Sequence, residues 1–371
     1  MLVGEQSNTH AAVPPRPAGL GTSAAALAES GRPARAAGGL YGPSAVRADP
    51  GLAAGVQRRL DGWAVQVGVG PRAVAGLGRL AVLTHPDTDD PVRLEAAGRL
   101  VALGVMVQAG TLPDLAAPTP VPGPAPAPVS GVGVDGEASP SGAPQPQPAA
   151  GSVGGCESGA GAASVLADAA DAALREVFDA CDHPEPPRAR GEVPGVVTDH
   201  PVAVSALAGL SALPASPYQL DRVRREFQVL AGGVPARGGP HPPWEYLALG
   251  HVNAYSPALA ALDAVDGYEV PPAAAGSPEL RRVQRLAALA AALLRDVAHP
   301  EPSGLAAAIA RADGLGSAAA ARRAAAVHDE AMRALQHHAA QLAGVSGVPV
   351  RRYLSGLWTW LGGHRSWHTE P

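Results

Sequence analysis

The stretch SPELRRVQRLAALAAALLRD, residues 277–296, decides the fold class of this 371-residue chain. Ser277 and Pro278 form a helix start, because a serine side chain can accept a hydrogen bond from the first turn and proline already has the backbone angle of that turn. Apolar residues then recur at intervals of three and four along one face: Leu280, Val283, Leu286, Leu289 and Leu293. This spacing predicts an amphipathic helix that ends by Pro300.

Comparable start signals and apolar periods occur on both sides of this helix. Asp49–Pro50 and Asp90–Pro91 each combine a side-chain cap with a first-turn proline, and each precedes residues spaced for a helix. The second of these helices is expected to run to about Gln108. Further helices are predicted at 162–178, at 220–230, at 244–265 with a break at Pro257, at 317–343 and at 349–363. No strand period competes, so the sequence predicts an all-α fold.

Two stretches have compositions that cannot form a packed core. The chain holds 45 glycines and 39 prolines, and many of them lie in residues 1–39 and 113–161. Segments rich in Pro, Gly, Ala and Ser bury too little apolar surface to offset the entropy that is lost on ordering. We therefore predict a disordered tail at 1–39, a disordered insert at 113–161, and one helical domain built from 40–112 and 162–371.

Charge and composition exclude several classes of function. The formal net charge is −5, so the chain has no broad basic surface for nucleic acid and no basic anchor for an anionic membrane. No stretch is apolar over the length that spans a bilayer, and no signal peptide is visible. Cys156 and Cys181 lack the spacing of metal ligands. The sequence thus predicts a cytoplasmic protein that binds neither nucleic acid nor a membrane.

Several blocks of sequence on both sides of the insert occur in a characteristic order. They include DRVRREF at 221–227, ELRRVQRLA at 279–287 and the segment at 83–100, which contains HPDTDDP. The remaining blocks lie at 40–69, 242–271, 327–335 and 352–368. In sequence, order and spacing these blocks resemble the 2-methylisoborneol synthases of the bacterial class I terpene synthase family. The resemblance covers roughly two thirds of the chain, which is more specific than one short motif.

The resemblance implies a class I isoprenoid synthase fold, in which helices surround an apolar pocket with magnesium ions at its mouth. Members of this family ionise a prenyl diphosphate, of the methylated geranyl type in the branch that the blocks resemble, and cyclise the resulting cation. The leaving diphosphate concentrates negative charge, so such a site needs cations held by carboxylate and amide oxygens, together with arginine donors. If activity is retained, the resemblance implies magnesium as cofactor and a prenyl diphosphate as partner. The resemblance does not decide whether the protein forms a homodimer.

The family's first aspartate-rich motif falls just before the insert. Here the matching positions are Gln108 and Ala109, and only Asp114, at the edge of the insert, is left as a candidate metal ligand. The arginine with which relatives sense diphosphate falls on Gly250. The terminal Arg-Tyr pair of the family is also absent, because the chain ends at WHTEP. The resemblance therefore predicts that the first metal motif is mostly lost, and that the arginine donors for diphosphate are lost as well.

The family's second metal motif needs an asparagine, a serine and a glutamate at i, i+4 and i+8, so that all three point from one helix face at a magnesium ion. The matching residues are Arg295, His299 and Ser303, and Asp296 alone fits the pattern as a vestigial ligand. Pro300 prevents a continuous helix through the set, and Arg295 adds a positive charge where the divalent cation should lie. We predict that this motif does not bind magnesium in the family's manner.

Three hypotheses follow for the function. The first is a terpene synthase-like protein whose diphosphate ionisation is impaired or lost, and which persists as a binding or structural protein. The second is an active terpene cyclase with a non-standard metal site, for example from Asp114, Asp296 and Glu301. The third is a non-catalytic cargo or scaffold protein of an encapsulin-type shell, which residues 1–39 or 113–161 would direct to the shell protein.

An acidic cluster upstream of Pro91 could be mistaken for a magnesium motif: Asp87, Asp89 and Asp90. Because these acids directly precede the first proline of a predicted helix, N-capping is the favoured interpretation.

Near the carboxyl terminus, His364 and His368 lie one helical turn apart, as zinc ligands can. Since no third ligand is near in sequence, we predict solvated or interface histidines. Three tryptophans are predicted to close the core rather than to line a pocket floor: Trp358, Trp360 and Trp367.

Overall fold

The computed structural model describes residues 39–112, 200–233 and 241–369. Within these ranges the chain forms helices and no strands, which confirms the predicted all-α class. The α-helices are α1 (Pro50–Gln66), α2 (Leu77–Thr84), α3 (Pro91–Ala109), α4 (Pro201–Ser211), α5 (Pro217–Gly233), α6 (Pro243–Leu249), α7 (Ser256–Ala260), α8 (Leu262–Val265), α9 (Pro272–Ala275), α10 (Pro278–Ala298), α11 (Leu305–Asp313), α12 (Ser317–Val345) and α13 (Val348–Thr369). The insert at 113–161, the helix predicted at 162–178 and the tail apart from Gly39 lie outside the described residues.

The three predicted helix caps are present. Asp49 and Ser277 each accept a hydrogen bond from the backbone N–H three residues later, at 2.9 and 3.2 Å. Asp90 accepts one from the N–H two residues later, at 2.8 Å. Each such cap typically contributes about 1 kcal/mol to stability. The prediction of N-capping is thus confirmed for Asp90, whereas Asp89 forms an ion pair with Arg47 instead.

The helix predicted across Pro257 is divided, and a buried asparagine organises the break. Asn253 lies between α6 and α7, and its amide nitrogen donates to the carbonyl oxygens of Gly250 at 2.8 Å and of Ala288 at 2.7 Å. Its side-chain oxygen accepts from the backbone N–H of Tyr255 at 2.8 Å. These bonds satisfy backbone groups that a continuous helix would have paired, and they fix the break against α10.

Two glycines permit close approaches between helices. A Cβ atom at Gly104 of α3 would lie 2.1 Å from the carbonyl oxygen of Ala254, within the break. A Cβ atom at Gly363 of α13 would lie 2.2 Å from the carbonyl oxygen of Leu83 in α2. Both distances are far below van der Waals contact, so these crossings require glycine.

The end of α10 is held in place by a group of buried apolar side chains that joins it to α6, α11 and α12. The group includes Leu247, Leu289, Leu293, Leu305 and Ile309. Burial of each such side chain stabilises the fold by roughly 1.5–3 kcal/mol. A larger group packs the remaining helices and includes Trp360 and Tyr353. None of the described helices is both long and apolar enough to cross a membrane.

Candidate functional site

A small cavity lies at the carboxyl-terminal end of α10, and five of the predicted motif positions line it. Its volume is about 110 Å³. The contributing residues come from the end of α3, the break after α6, α10 and the loop that follows α10: Gln108, Gly250, Arg295, Asp296 and Ser303. We call it the α10-end cavity. The sequence positions assigned to three separate motifs therefore meet at one place, as the resemblance requires of a metal and diphosphate site.

The other predicted site residues lie elsewhere or are not described. Ala109 is exposed at the end of α3 and does not line the cavity. His299 is the C-cap of α10, so the helix stops one residue before Pro300, as predicted. Asp114 lies outside the described residues. The assignment of Ala109 and His299 as lost motif positions, and of Asp114 as a candidate metal ligand, remains a prediction.

The Asp296 carboxylate holds the loop after α10 against α6. The hydroxyl of Tyr246 donates to its Oδ2 atom, and the backbone N–H of Leu305 donates to the same atom at 3.1 Å. Burial raises the pKa of Asp296, although both hydrogen bonds and the charge of Arg295 act to lower it. These contacts are those of a buried, hydrogen-bonded acid, and the assignment of Asp296 as a vestigial metal ligand remains a prediction. Nothing in the sequence identified Tyr246 as its partner.

The other two charged groups of the cavity are paired with each other. The Arg295 guanidinium donates to the Glu301 carboxylate at 2.8 Å. Glu301 comes from the loop after α10, so the pair spans the cavity's edge between helix and loop. A guanidinium at this place repels a divalent cation, and Glu301 already has a positive partner.

Two further predicted motif positions, Gln108 and Gly250, are in contact with other protein groups. The side-chain oxygen of Gln108 accepts a hydrogen bond from the backbone N–H of Ala254 at 2.7 Å, which ties the end of α3 to the break. At Gly250, a Cβ atom would lie 2.6 Å from the Cδ1 atom of Leu289. Leu289 therefore fills the space into which a longer side chain at position 250 would extend.

Three histidines form a hydrogen-bonded chain beside the cavity, and the prediction of solvated histidines is wrong for His364. This ring is buried, stacked on Trp360 and in edge contact with Tyr255. The Nε2 atoms of His364 and His368 are 3.1 Å apart, and the Nδ1 atom of His368 is 2.9 Å from the Nε2 atom of His299. Because His368 uses its two nitrogens in different directions, the three rings do not converge on one point.

The surroundings of His364 and His368 favour the neutral form of both side chains. Burial lowers the pKa of His364 well below its usual value, and burial with the neighbouring His299 and Arg295 lowers the pKa of His368 to about 4. The W-x3-H spacing of Trp360 and His364 puts both on one helix face, which was the signal for burial that the sequence contained. Among the described residues, no three His, Cys, Asp or Glu side chains are grouped to hold a metal ion.

The tryptophans near the carboxyl terminus have core roles, as predicted. Trp358 and Trp360 are buried. Trp367 is partly buried, and its Nε1–H donates to the carbonyl oxygen of Gly76 at 3.1 Å. These side chains therefore attach α13 to the rest of the helical core.

No protein-family model matches the sequence. Similar proteins are found both among curated sequences and among solved structures. Among curated proteins, the 2-methylisoborneol synthase of Saccharopolyspora erythraea is 34% identical over 187 residues, which are 46% of this chain and 53% of that protein. The 2-methylisoborneol synthase of Streptomyces ambofaciens is 32% identical over 169 residues, 42% of this chain and 38% of that protein. The chain thus matches about half or less of the length of these curated relatives.

Solved structures extend the similarity over most of the chain. The crystal structure of 2-methylisoborneol synthase from Streptomyces coelicolor A3(2), in complex with Mg²⁺ and geranyl-S-thiolodiphosphate, has a TM-score of 0.61 and 25% identity. This similarity covers 91% of this chain and 96% of that one. A cucumene synthase variant, with a TM-score of 0.57 and 17% identity, shares the fold alone. The helical architecture is therefore that of class I terpene synthases.

Proposed function

We propose that this chain, a member of the bacterial class I terpene synthase family, no longer ionises prenyl diphosphates by the magnesium-dependent reaction of its relatives. The observation that carries the proposal is the charge arrangement of the α10-end cavity. Its arginine is paired with Glu301, and its one motif carboxylate, Asp296, is held by Tyr246 and Leu305. The protein persists as a binding or structural protein.

The described residues do not fit a magnesium centre. Magnesium requires several oxygen ligands in near-octahedral arrangement, usually with one or two carboxylates that stay ionised. In this cavity the Asp296 carboxylate already accepts hydrogen bonds from Tyr246 and Leu305, and Arg295 places a cation beside it. The Gln108 oxygen already accepts the backbone N–H of Ala254. Without clustered cations, little stabilises the charge of a departing diphosphate, and each 1.36 kcal/mol of lost stabilisation slows the reaction about tenfold.

The size of the cavity supports the same proposal. Ligand sites for molecules of prenyl diphosphate size usually have volumes of about 300–1,000 Å³. The α10-end cavity measures about 110 Å³, and Leu289 packs against Gly250 at its wall. A prenyl diphosphate would need helices or side chains to move before it could enter.

A turnover assay tests the proposal. The purified chain is incubated with magnesium and either geranyl or 2-methylgeranyl diphosphate, while volatile products and released diphosphate are measured. The Streptomyces coelicolor 2-methylisoborneol synthase serves as the active control. We expect no cyclic product above the background without protein. Robust, magnesium-dependent formation of a cyclic product would overturn the proposal.

A second candidate, a cyclase with a non-standard metal site, is favoured by one observation. Asp296 and Glu301, two of the three acids proposed for such a site with Asp114, line the same cavity. Under this alternative, Asp296→Ala abolishes magnesium-dependent turnover, whereas Glu279→Ala, at an exposed acid near the start of α10, leaves it unchanged. Turnover that survives in the Asp296→Ala variant rejects the second candidate.

A further inference from the structure

The histidine chain that joins the end of α13 to the end of α10 can hold only a limited number of protons. Two nitrogens face each other in the hydrogen bond between His364 and His368, and two more in the bond between His368 and His299. Each bond needs one hydrogen, because a protonated ring nitrogen cannot accept from a facing N–H. The outer nitrogens, Nδ1 of His364 and Nδ1 of His299, can each carry one more. The intact histidine chain therefore holds at most four protons.

Burial decides how the protons are arranged in the neutral histidine chain. Each neutral ring brings one proton, so two protons fill the hydrogen bonds and the third lies at one of the two ends. Nδ1 of His364 is buried and has no hydrogen-bond partner among the described residues, whereas His299 is exposed. Because a buried N–H without an acceptor is unfavourable, the third proton belongs on His299. His364 then donates to His368, and His368 donates to His299.

A fourth proton has no favourable place in the intact histidine chain. Wherever the positive charge lies along the three rings, all four places are then filled, and one of them is Nδ1 of His364. That nitrogen would become a buried donor without an acceptor among the described residues. Separation of His368 from His364 removes the conflict, since His368 is only partly buried and can turn to water.

The groups of α10 and α12 that face the histidine chain also oppose a further positive charge. Burial is the main cause that lowers the pKa of His364 and of His368. Arg295 of α10 acts in the same direction on both rings, although it is paired with Glu301. His328 of α12 adds to the effect on His364.

The remaining charged and titratable groups nearby do not change this preference. Asp329, an acid of α12, is already bonded to His328 at 3.0 Å. From α2, Arg79 donates to the carbonyl oxygen of Ser366 at 3.4 Å and brings another positive charge. The ring of Tyr255, which contacts His364, stays uncharged because burial raises its pKa to about 12. The surroundings therefore favour an uncharged histidine chain at neutral pH.

We propose that the histidine chain makes the attachment of the last turn of α13, residues 364–369, to the end of α10 sensitive to acid. When the histidine chain gains a proton, His368 separates from His364 and the turn detaches. The detached turn would expose the side of His299, which precedes the loop that lines the α10-end cavity. Acid would thus open one side of that cavity. The inference is independent of the proposed function, because it uses neither magnesium nor turnover.

The pH range of the effect follows from His368. Burial, together with His299 and Arg295, lowers the pKa of His368 from the ordinary 6.5 to about 4. The attached turn therefore favours the neutral ring, and it loses stability as pH falls from about 6.5 through about 4. Between pH 7 and pH 4, we expect the turn to open roughly ten- to a hundredfold more often.

Hydrogen–deuterium exchange at pH 7, 5.5 and 4 tests the proposal, after correction for the pH dependence of intrinsic exchange. Protection of residues 364–369 should fall roughly ten- to a hundredfold, while residues 283–293 in the middle of α10 keep their protection. His368→Gln cannot titrate and should abolish this pH dependence. His337→Gln, at an exposed histidine of α12, is the matched control and should retain it.

Nitrogen NMR of the histidine side chains gives a second test that needs no variant. At pH 7 we expect His364 to be protonated on Nε2 and His368 on Nδ1. The inference is overturned if His364 carries its proton on Nδ1. It is also overturned if protection of residues 364–369 does not change with pH, if it falls together with that of residues 283–293, or if His368→Gln keeps the parent's pH dependence.

Discussion

Asp296, which the resemblance assigns to the second metal motif, makes contacts that give it a structural task. It receives hydrogen bonds from Tyr246 and from the backbone of Leu305, so it joins α10, α6 and the start of α11. The pKa of its carboxyl is raised because burial opposes ionisation more strongly than the two hydrogen bonds favour it. If Asp296 is a structural acid, its substitution should change the free energy of unfolding of the chain.

Substitution of Asp296 should change the pH dependence of folding. Because its pKa is higher in the folded chain than the ordinary 3.8, the folded state holds the proton more tightly. The parent therefore loses stability as pH rises from the ordinary value through the folded pKa. Asp296→Asn cannot ionise, so its free energy of unfolding should rise relative to the parent's between pH 4 and pH 7. Urea unfolding at several pH values measures the difference, and a constant or falling difference would contradict the assignment.

An arginine placed at position 250 should destabilise the fold and should not produce turnover. The Cβ atom would lie 2.6 Å from Leu289, so the leucine must move, and overpacking of this kind costs about 1–3 kcal/mol. Gly62→Arg is the matched control, because a Cβ atom there meets nothing within 4 Å on the exposed face of α1. We expect Gly250→Arg to lower the midpoint of thermal unfolding and Gly62→Arg not to lower it. Equal midpoints for the two variants would show that position 250 has room.

At the scale of elements, α10 has two different environments along its length. Its amino-terminal half lines a second cavity, of about 230 Å³, with Arg281 and Arg285. Its carboxyl-terminal end contributes Arg295 and Asp296 to the α10-end cavity. Between them, Ala288 accepts the hydrogen bond from the asparagine of the break. The position of α10 against the break therefore decides the shape of both cavities.

The contact between α3 and the break can be tested with one methyl group. Gly104→Ala places a Cβ atom 2.1 Å from the backbone oxygen of Ala254, and backbone cannot move aside as a side chain can. We expect a loss of about 1–3 kcal/mol or more, although alanine favours helices by up to about 1 kcal/mol over glycine. Gly62→Ala, on an open helix face, should instead stabilise the chain. An unfolding free energy of Gly104→Ala equal to the parent's would mean that α3 and the break are farther apart.

Sequence periodicity predicted the amphipathic helices and missed the buried ones. The starts of α1, α3 and α10 were predictable because each has a polar cap followed by proline. By contrast, α2 has seven of its eight residues buried, so it has no polar face and no period to detect. The mainly apolar α4 was missed for a related reason, whereas α11 has only nine residues and too few large apolar ones to establish a period. The break was predicted from Pro257, but the stabilising role of Asn253 depends on contacts distant in sequence.

At the scale of the molecule, the helical architecture is that of class I terpene synthases, and the proposed change concerns only the chemistry of the α10-end cavity. The fold similarity to the Streptomyces coelicolor synthase covers 91% of the chain at 25% identity. Buried apolar side chains maintain such a fold at low identity, because volume and pattern matter more than particular residues. The resemblance predicted which positions would face the site, but the partners of Asp296, Arg295 and Gln108 could be seen only in three dimensions.

The central claim is that the α10-end cavity cannot gather divalent cations, and a count of bound manganese tests it most directly. Manganese, a paramagnetic substitute for magnesium, is titrated in the presence of inorganic diphosphate and followed by electron paramagnetic resonance. We predict no saturable binding of manganese. Saturable binding that is abolished by adding Asp296→Ala would contradict the account.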